Sequence, residues 1–134
     1  MMQFYFLSVL INCIVGLALI FSDTTDERYQ FFEFVKNQKF KLISGIASIL
    51  ISLVTLFGTY KGSWIILGDL IPSLTGLTAG FILLFSFYLD RRTIEPSEKE
   101  SKIEKFFILN RKYFGVTCLV AALLHFFFPK VVIL

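Results

Sequence analysis

The chain has 134 residues, 56% of them hydrophobic and 17% charged, with a formal net charge of +3, two cysteines and one histidine. Soluble domains carry about 45–50% apolar residues even with glycine counted, and about 25% charged, so this composition argues against an ordinary water-soluble domain. Two cysteines provide no disulfide framework, and a lone histidine excludes a His-rich metal site.

The distribution of charge says more than its total. Of 23 charged residues (13 basic plus 10 acidic), eight fall between Asp23 and Lys41 and twelve between Asp90 and Lys112. Only Lys61, Asp69 and Lys130 lie elsewhere. A soluble helix keeps charge on its outer face; here whole segments exclude it. A bilayer core about 30 Å thick takes roughly 20 helical residues, and only helices or closed barrels satisfy their backbone in lipid. The apolar segments 4–21, 42–60, 70–89 and 113–128 show no barrel-type alternation. The expectation is an all-α membrane protein, a single integral domain over 1–134. Four transmembrane helices form a compact up-down bundle, with short interfacial or cytoplasmic helical segments in loops 22–41 and 90–112.

The first segment has neither a basic n-region nor a small-x-small cleavage site before Asp23, so it is expected to stay as a helix rather than act as a signal peptide. Ser8, Asn12 and Gly16 recur at spacing four and share a face. An amide unpaired in hydrocarbon costs several kcal/mol, so Asn12 should face protein. Counted from the expected helix ends, Cys13 and Cys118 differ in depth by roughly 9 Å, too far for a bridge. Loop 22–41 mixes aromatics with lysines, which suits a short helix in the membrane interface.

The second segment carries Ser44, Ser48 and Ser52 on one stripe, continued by Thr55 and Thr59. Small hydroxyl residues let backbones approach closely, so the stripe reads as packing rather than as a pore lining. In the third segment Pro72 clashes with the carbonyl of Gly68, which places a break there, Asp69 as N-cap and Pro72 in the first turn. Gly76-x-x-x-Gly80 is a close-approach motif, and the second and third helices are expected to be neighbours. In loop 90–112, Ser97 and Glu100 fit a capping box, and Glu98 and Lys102 pair at spacing four. The helix they start either lies on the membrane or runs straight into the fourth segment. There Gly115, Cys118, Ala122 and His125 share a face. Each helix has one stripe of small or polar residues, and the four stripes should point inward.

Loops one and three hold eleven Lys/Arg; the opposite side holds Lys61 and Lys130. This positive-inside bias puts both termini outside the cytoplasm, in a cell inner (cytoplasmic) membrane. Tyr5, Tyr60 and Trp64 mark the outer interface, Tyr88 and Tyr113 the inner one. Lys39, Lys41, Arg91, Arg92, Arg111 and Lys112 flank the spans and should meet anionic headgroups.

No phosphate loop, nucleophile elbow or metalloprotease helix is present, and no cofactor or metal is expected. The basic residues sit beside spans, which gives no support for nucleic-acid binding. The leading reading is a non-catalytic accessory or structural subunit of a membrane assembly, partnered by lipid and by other membrane subunits or a second copy. The alternative is a small transporter or channel. It would use an outward-facing polar pocket of Asp69, His125 and Asn12, placed at similar outer-leaflet depth and responsive to protons.

Overall fold

Two capping residues, Asn37 and Ser97, each mark the start of a long helix. Asn37 accepts the Lys39 amide hydrogen at its Oδ1 (3.0 Å) and the Lys41 amide hydrogen at its carbonyl (3.0 Å), the arrangement of an N-cap. Ser97 has extended backbone, donates its amide hydrogen to Glu100 Oε2 (3.0 Å) and accepts that of Ser101 (2.9 Å). Glu98 and Glu100 in that first turn suit the positive end of the helix dipole.

The computed structural model describes residues 2–22, 30, 33–57, 70–95 and 97–128, and those residues contain helices and no strand. In order they form α1 (Met2–Phe21), α2 (Glu33–Lys36), α3 (Gln38–Phe57), α4 (Leu70–Arg91) and α5 (Glu98–Phe127). Helices α3, α4 and α5 are long and apolar enough to cross a membrane, and α1 adds the shorter apolar stretch Tyr5–Phe21.

Helix α4 runs on to Arg91, and the helix that Ser97 starts takes the second of its two expected courses: α5 begins at Glu98 and continues unbroken for 30 residues into the fourth segment. After the capping box no proline interrupts it, and Gly115 is tolerated mid-helix because it lies at a close crossing. Helix α3 likewise starts at Gln38 rather than 42, because Asn37 caps it.

Several hydroxyl groups inside the apolar helices are bonded locally. Ser44, Thr55, Thr75, Thr78 and Thr117 each donate to the carbonyl four residues back, at 2.6–3.0 Å. That satisfies the hydroxyl without a partner from outside the helix. Pro72 sits in the first turn of α4, where no amide hydrogen is needed.

The most extensive helix contacts are α3 with α4 and α1 with α5; α1 also packs on α3 and α4, and α4 on α5. Each main pair is closed by two glycines facing one another. A Cβ built on Gly16 would lie 2.9 Å from the Gly115 carbonyl oxygen, and one on Gly115 would lie 2.8 Å from that of Gly16. In the other pair a Cβ on Gly80 would lie 2.9 Å from the Gly45 carbonyl oxygen, and one on Gly45 3.1 Å from that of Gly80. The two backbones touch at each crossing, with no room for side chains. Around them the buried apolar residues include Val15, Ala18, Leu19, Ala79, Ile82, Leu83 and Ala122. Phe107 of α5 packs edge-on against Phe81 and Phe85 of α4, at 5.8 Å between ring centres.

Charged groups tie one end of this assembly together. Lys41 Nζ meets Asp90 Oδ2 at 2.8 Å, and Arg92 meets Glu104 at 3.0 Å. Arg91 donates to Gln38 Oε1 at 3.3 Å and stacks over the Phe87 ring. Lys39, Arg91 and Lys112 are exposed; Lys41 and Arg111 are buried among the helices, and Arg92 is half-buried. The long apolar stems of Lys41 and Arg92 pack while their charged heads reach carboxylates. Replacing Asp90 with Asn should destabilise the fold by about 1 kcal/mol, since it leaves the Lys41 ammonium uncompensated. The Lys41 side chain is 9% exposed and that of Asp90 41%, so Lys41→Met, which strands only the half-solvated carboxylate, should cost less. Thermal unfolding of both variants in mild detergent checks the order.

Candidate functional site

The four long helices meet at Asn12, which is 0% exposed. From α1 its Nδ2 donates to the Pro72 carbonyl of α4 at 3.0 Å. From α5 the Cys118 thiol donates to the Asn12 carbonyl at 3.4 Å and reaches Asn12 Oδ1 at 3.6 Å. From α3 the Ser48 hydroxyl donates to the Gly76 carbonyl at 2.8 Å. A Cβ on Gly76 would lie 2.2 Å from Ser52 Oγ and 2.6 Å from Asn12 Oδ1. The bare Gly76 Cα is therefore what lets an amide from α1 and a hydroxyl from α3 converge on α4. One residue from Pro72, Ser73 is also fully buried, and its hydroxyl has no hydrogen-bond partner among the described residues.

Here side chains bond to the backbone of neighbouring helices rather than to that of their own. An amide has both donor and acceptor capacity, so Asn12 can join two helices at once. The Pro72 carbonyl is shared with the Thr75 hydroxyl at 3.1 Å. Among the described residues, this knot contains amide, hydroxyl and thiol groups, and no group of three or more His, Cys, Asp or Glu is placed to hold a metal ion. Its chemistry is that of hydrogen bonding between helices.

Of the residues expected to form a polar pocket, His125 and Asn12 do not share one level. Asp69 lies outside the described residues. His125 is 1% exposed and sits against Tyr5, with ring centres 4.5 Å apart. The Tyr5 hydroxyl donates to the carbonyls of His125 and Phe126. Asn12, by contrast, is level with Cys118. Seven residues separate Tyr5 from Asn12 and His125 from Cys118, roughly 10 Å along either helix. The depth estimate for the cysteines fails for the same reason: Cys118 lies against Asn12, the neighbour of Cys13, although both thiols are free. Depth along α5 was counted from 113, whereas the helix begins at Glu98.

Of the residues marked by small-residue spacing, Ser44, Ser48, Ser52, Gly76, Gly80, Gly16 and Gly115 are all buried. Sequence reasoning missed Gly45, the partner of Gly80. Its signal was available, a single glycine inside an apolar helix beside the serine stripe. It also missed the Pro72 carbonyl, which has no signal in side-chain type.

The whole chain aligns with a protein of the same extent. It is 29% identical over 134 residues, covering 100% of both chains, to an uncharacterized protein of Treponema pallidum (strain Nichols). A family model matches residues 1–125, and the chain belongs to that family. No solved structure matches it.

Proposed function

We propose that this chain is a four-span integral protein of the cytoplasmic membrane, with both termini outside the cytoplasm, and that it serves as a non-catalytic accessory subunit of a membrane assembly. One observation carries the membrane part: polar residues are inside and large apolar residues outside. Ser8, Asn12, Ser48, Ser52, Ser73 and His125 are buried, while Ile43, Leu50, Phe57, Leu74, Val120 and Phe127 are exposed. Water would penalise that arrangement on every outer face, at about 25 cal/mol per Å² of apolar surface; hydrocarbon does not. Within such a fold the knot at Asn12 acts as a lock between helices, and no reactive pair is built around it. The rigid interior and broad apolar exterior suit a partner held side by side in the bilayer.

The test joins topology with partnership. Reporter fusions at either terminus should report the non-cytoplasmic side, and mild-detergent purification should retain a partner at fixed stoichiometry. A terminus found in the cytoplasm would overturn the topology. Solute or proton flux in vesicles containing this chain alone, abolished by Asp69→Asn or His125→Ala, would replace the accessory role with transport through the expected pocket.

A further inference from the structure

We propose that the inner end of α5 holds an anionic phospholipid of the cytoplasmic leaflet, a reading that rests on the four-span placement above. Helix α5 has 30 residues, or roughly 45 Å at 1.5 Å per residue, against a hydrocarbon core of about 30 Å. Counting about 20 residues inward from Phe127 places the hydrocarbon boundary at Ile108. Lys105 then stands roughly 5 Å beyond it and Ser101 roughly 10 Å, in the headgroup layer.

Two hollows follow one another along this stretch and change character at that boundary. The first, about 360 Å³, is lined by Glu98, Ser101, Lys102 and Lys105. The second, about 410 Å³, is lined by Ser101, Glu104, Lys105, Ile108 and Leu109. The outer one offers two ammonium groups and a hydroxyl; the inner one has an apolar floor, and Leu109 is 74% exposed. A phosphate fits between Lys102 and Lys105, with the Ser101 hydroxyl as a further donor, and the upper part of an acyl chain lies over Ile108 and Leu109.

The carboxylates nearby do not oppose this. Glu104 is paired with Arg92 at 3.0 Å, and Glu98 stands in the first turn of α5, where the helix dipole offsets its charge. A second copy of the chain is a poorer occupant, because related copies would set Lys102 and Lys105 against their own counterparts. A free phosphate would leave Leu109 uncovered.

The test uses the full chain in bilayers of phosphatidylcholine alone or mixed with phosphatidylglycerol, with mass spectrometry of the lipids retained on gentle extraction. Wild type should retain phosphatidylglycerol preferentially. Lys102→Gln with Lys105→Gln should lower that preference about 25-fold, at about fivefold per lysine near an anionic surface, with insertion into phosphatidylcholine unchanged. Lys36→Gln, an exposed lysine on α2 outside the residues expected to meet headgroups, should leave the preference nearly intact; a loss equal to that of one site lysine would show a diffuse charge effect and overturn the site. So would displacement of the lipid by inorganic phosphate, or efficient cross-linking of two copies through Leu109→Cys. Insertion without any preference would overturn the site alone, whereas failure to insert in either bilayer would overturn the four-span reading beneath it.

Discussion

Replacing Gly115 with isoleucine should force α1 and α5 apart and lower stability by about 3 kcal/mol. The first side-chain carbon would meet the Gly16 carbonyl oxygen at 2.8 Å, Ile20 Cγ1 at 2.9 Å and Leu19 Cβ at 3.0 Å. Two of these are fixed by the backbone of α1, so no rotamer change relieves them. Alanine separates the competing effects. It gains about 1 kcal/mol of helix propensity over glycine, yet it introduces the same carbon at the same place. The steric term should win, leaving Gly115→Ala destabilised by about 1 kcal/mol. Thermal unfolding in mild detergent decides: a midpoint for Gly115→Ala at or above wild type would mean that the α1–α5 crossing is looser than described.

The second large effect is expected at Asn12. Asn12→Asp keeps the shape of the side chain but replaces the donor to the Pro72 carbonyl, held at 3.0 Å, with an oxygen. Two acceptors then face each other in a fully buried site. On the proposed membrane placement, an aspartate at the centre of a helix costs about 3 kcal/mol, and no cation lies among the groups in contact with Asn12. Asn12→Ala loses the bond and leaves a small void, and should cost about 2 kcal/mol. If Asn12→Asp unfolds in detergent at the same temperature as wild type, the amide is not the joint between α1 and α4. Gly76→Ala should fall between these, because its Cβ would press on Ser52 Oγ and Asn12 Oδ1, side-chain atoms able to rotate away at the expense of their hydrogen bonds.

What could be read from the chain, and what could not, divides along a physical line. Helical class was legible because charge is absent from whole segments and returns in blocks. The inward residues of α3 and α4 were legible because Ser44, Ser48 and Ser52, and Gly76 and Gly80, repeat at the spacing of a helix face. Side-chain type also marked Asn12 as needing a partner. The partner itself was hidden, because the Pro72 carbonyl belongs to the backbone and every residue has one. The capping box at Ser97 made the start of α5 legible, while its run into the fourth segment was left open, since Lys99 to Lys112 resembles a solvated loop in charge. Lys41 and Arg111 were expected to meet headgroups beside the spans, and charge alone did not show that both residues are buried among the helices. Register between helices far apart in sequence depends on packing, and missing it separated Cys118 from Asn12 and brought His125 too close.

The reciprocal glycine contact between Gly16 and Gly115 also sets a timetable. The ribosome completes Gly16 about a hundred residues before its counterpart, and at 5–20 residues per second that is roughly 5–20 s. The α3–α4 hairpin has both halves of its own crossing well before then. The earliest-made helix is therefore the one that waits for its mate, carrying Asn12 through synthesis with Cys118 not yet made. A chain arrested before α5 would present that amide to whatever factor holds it.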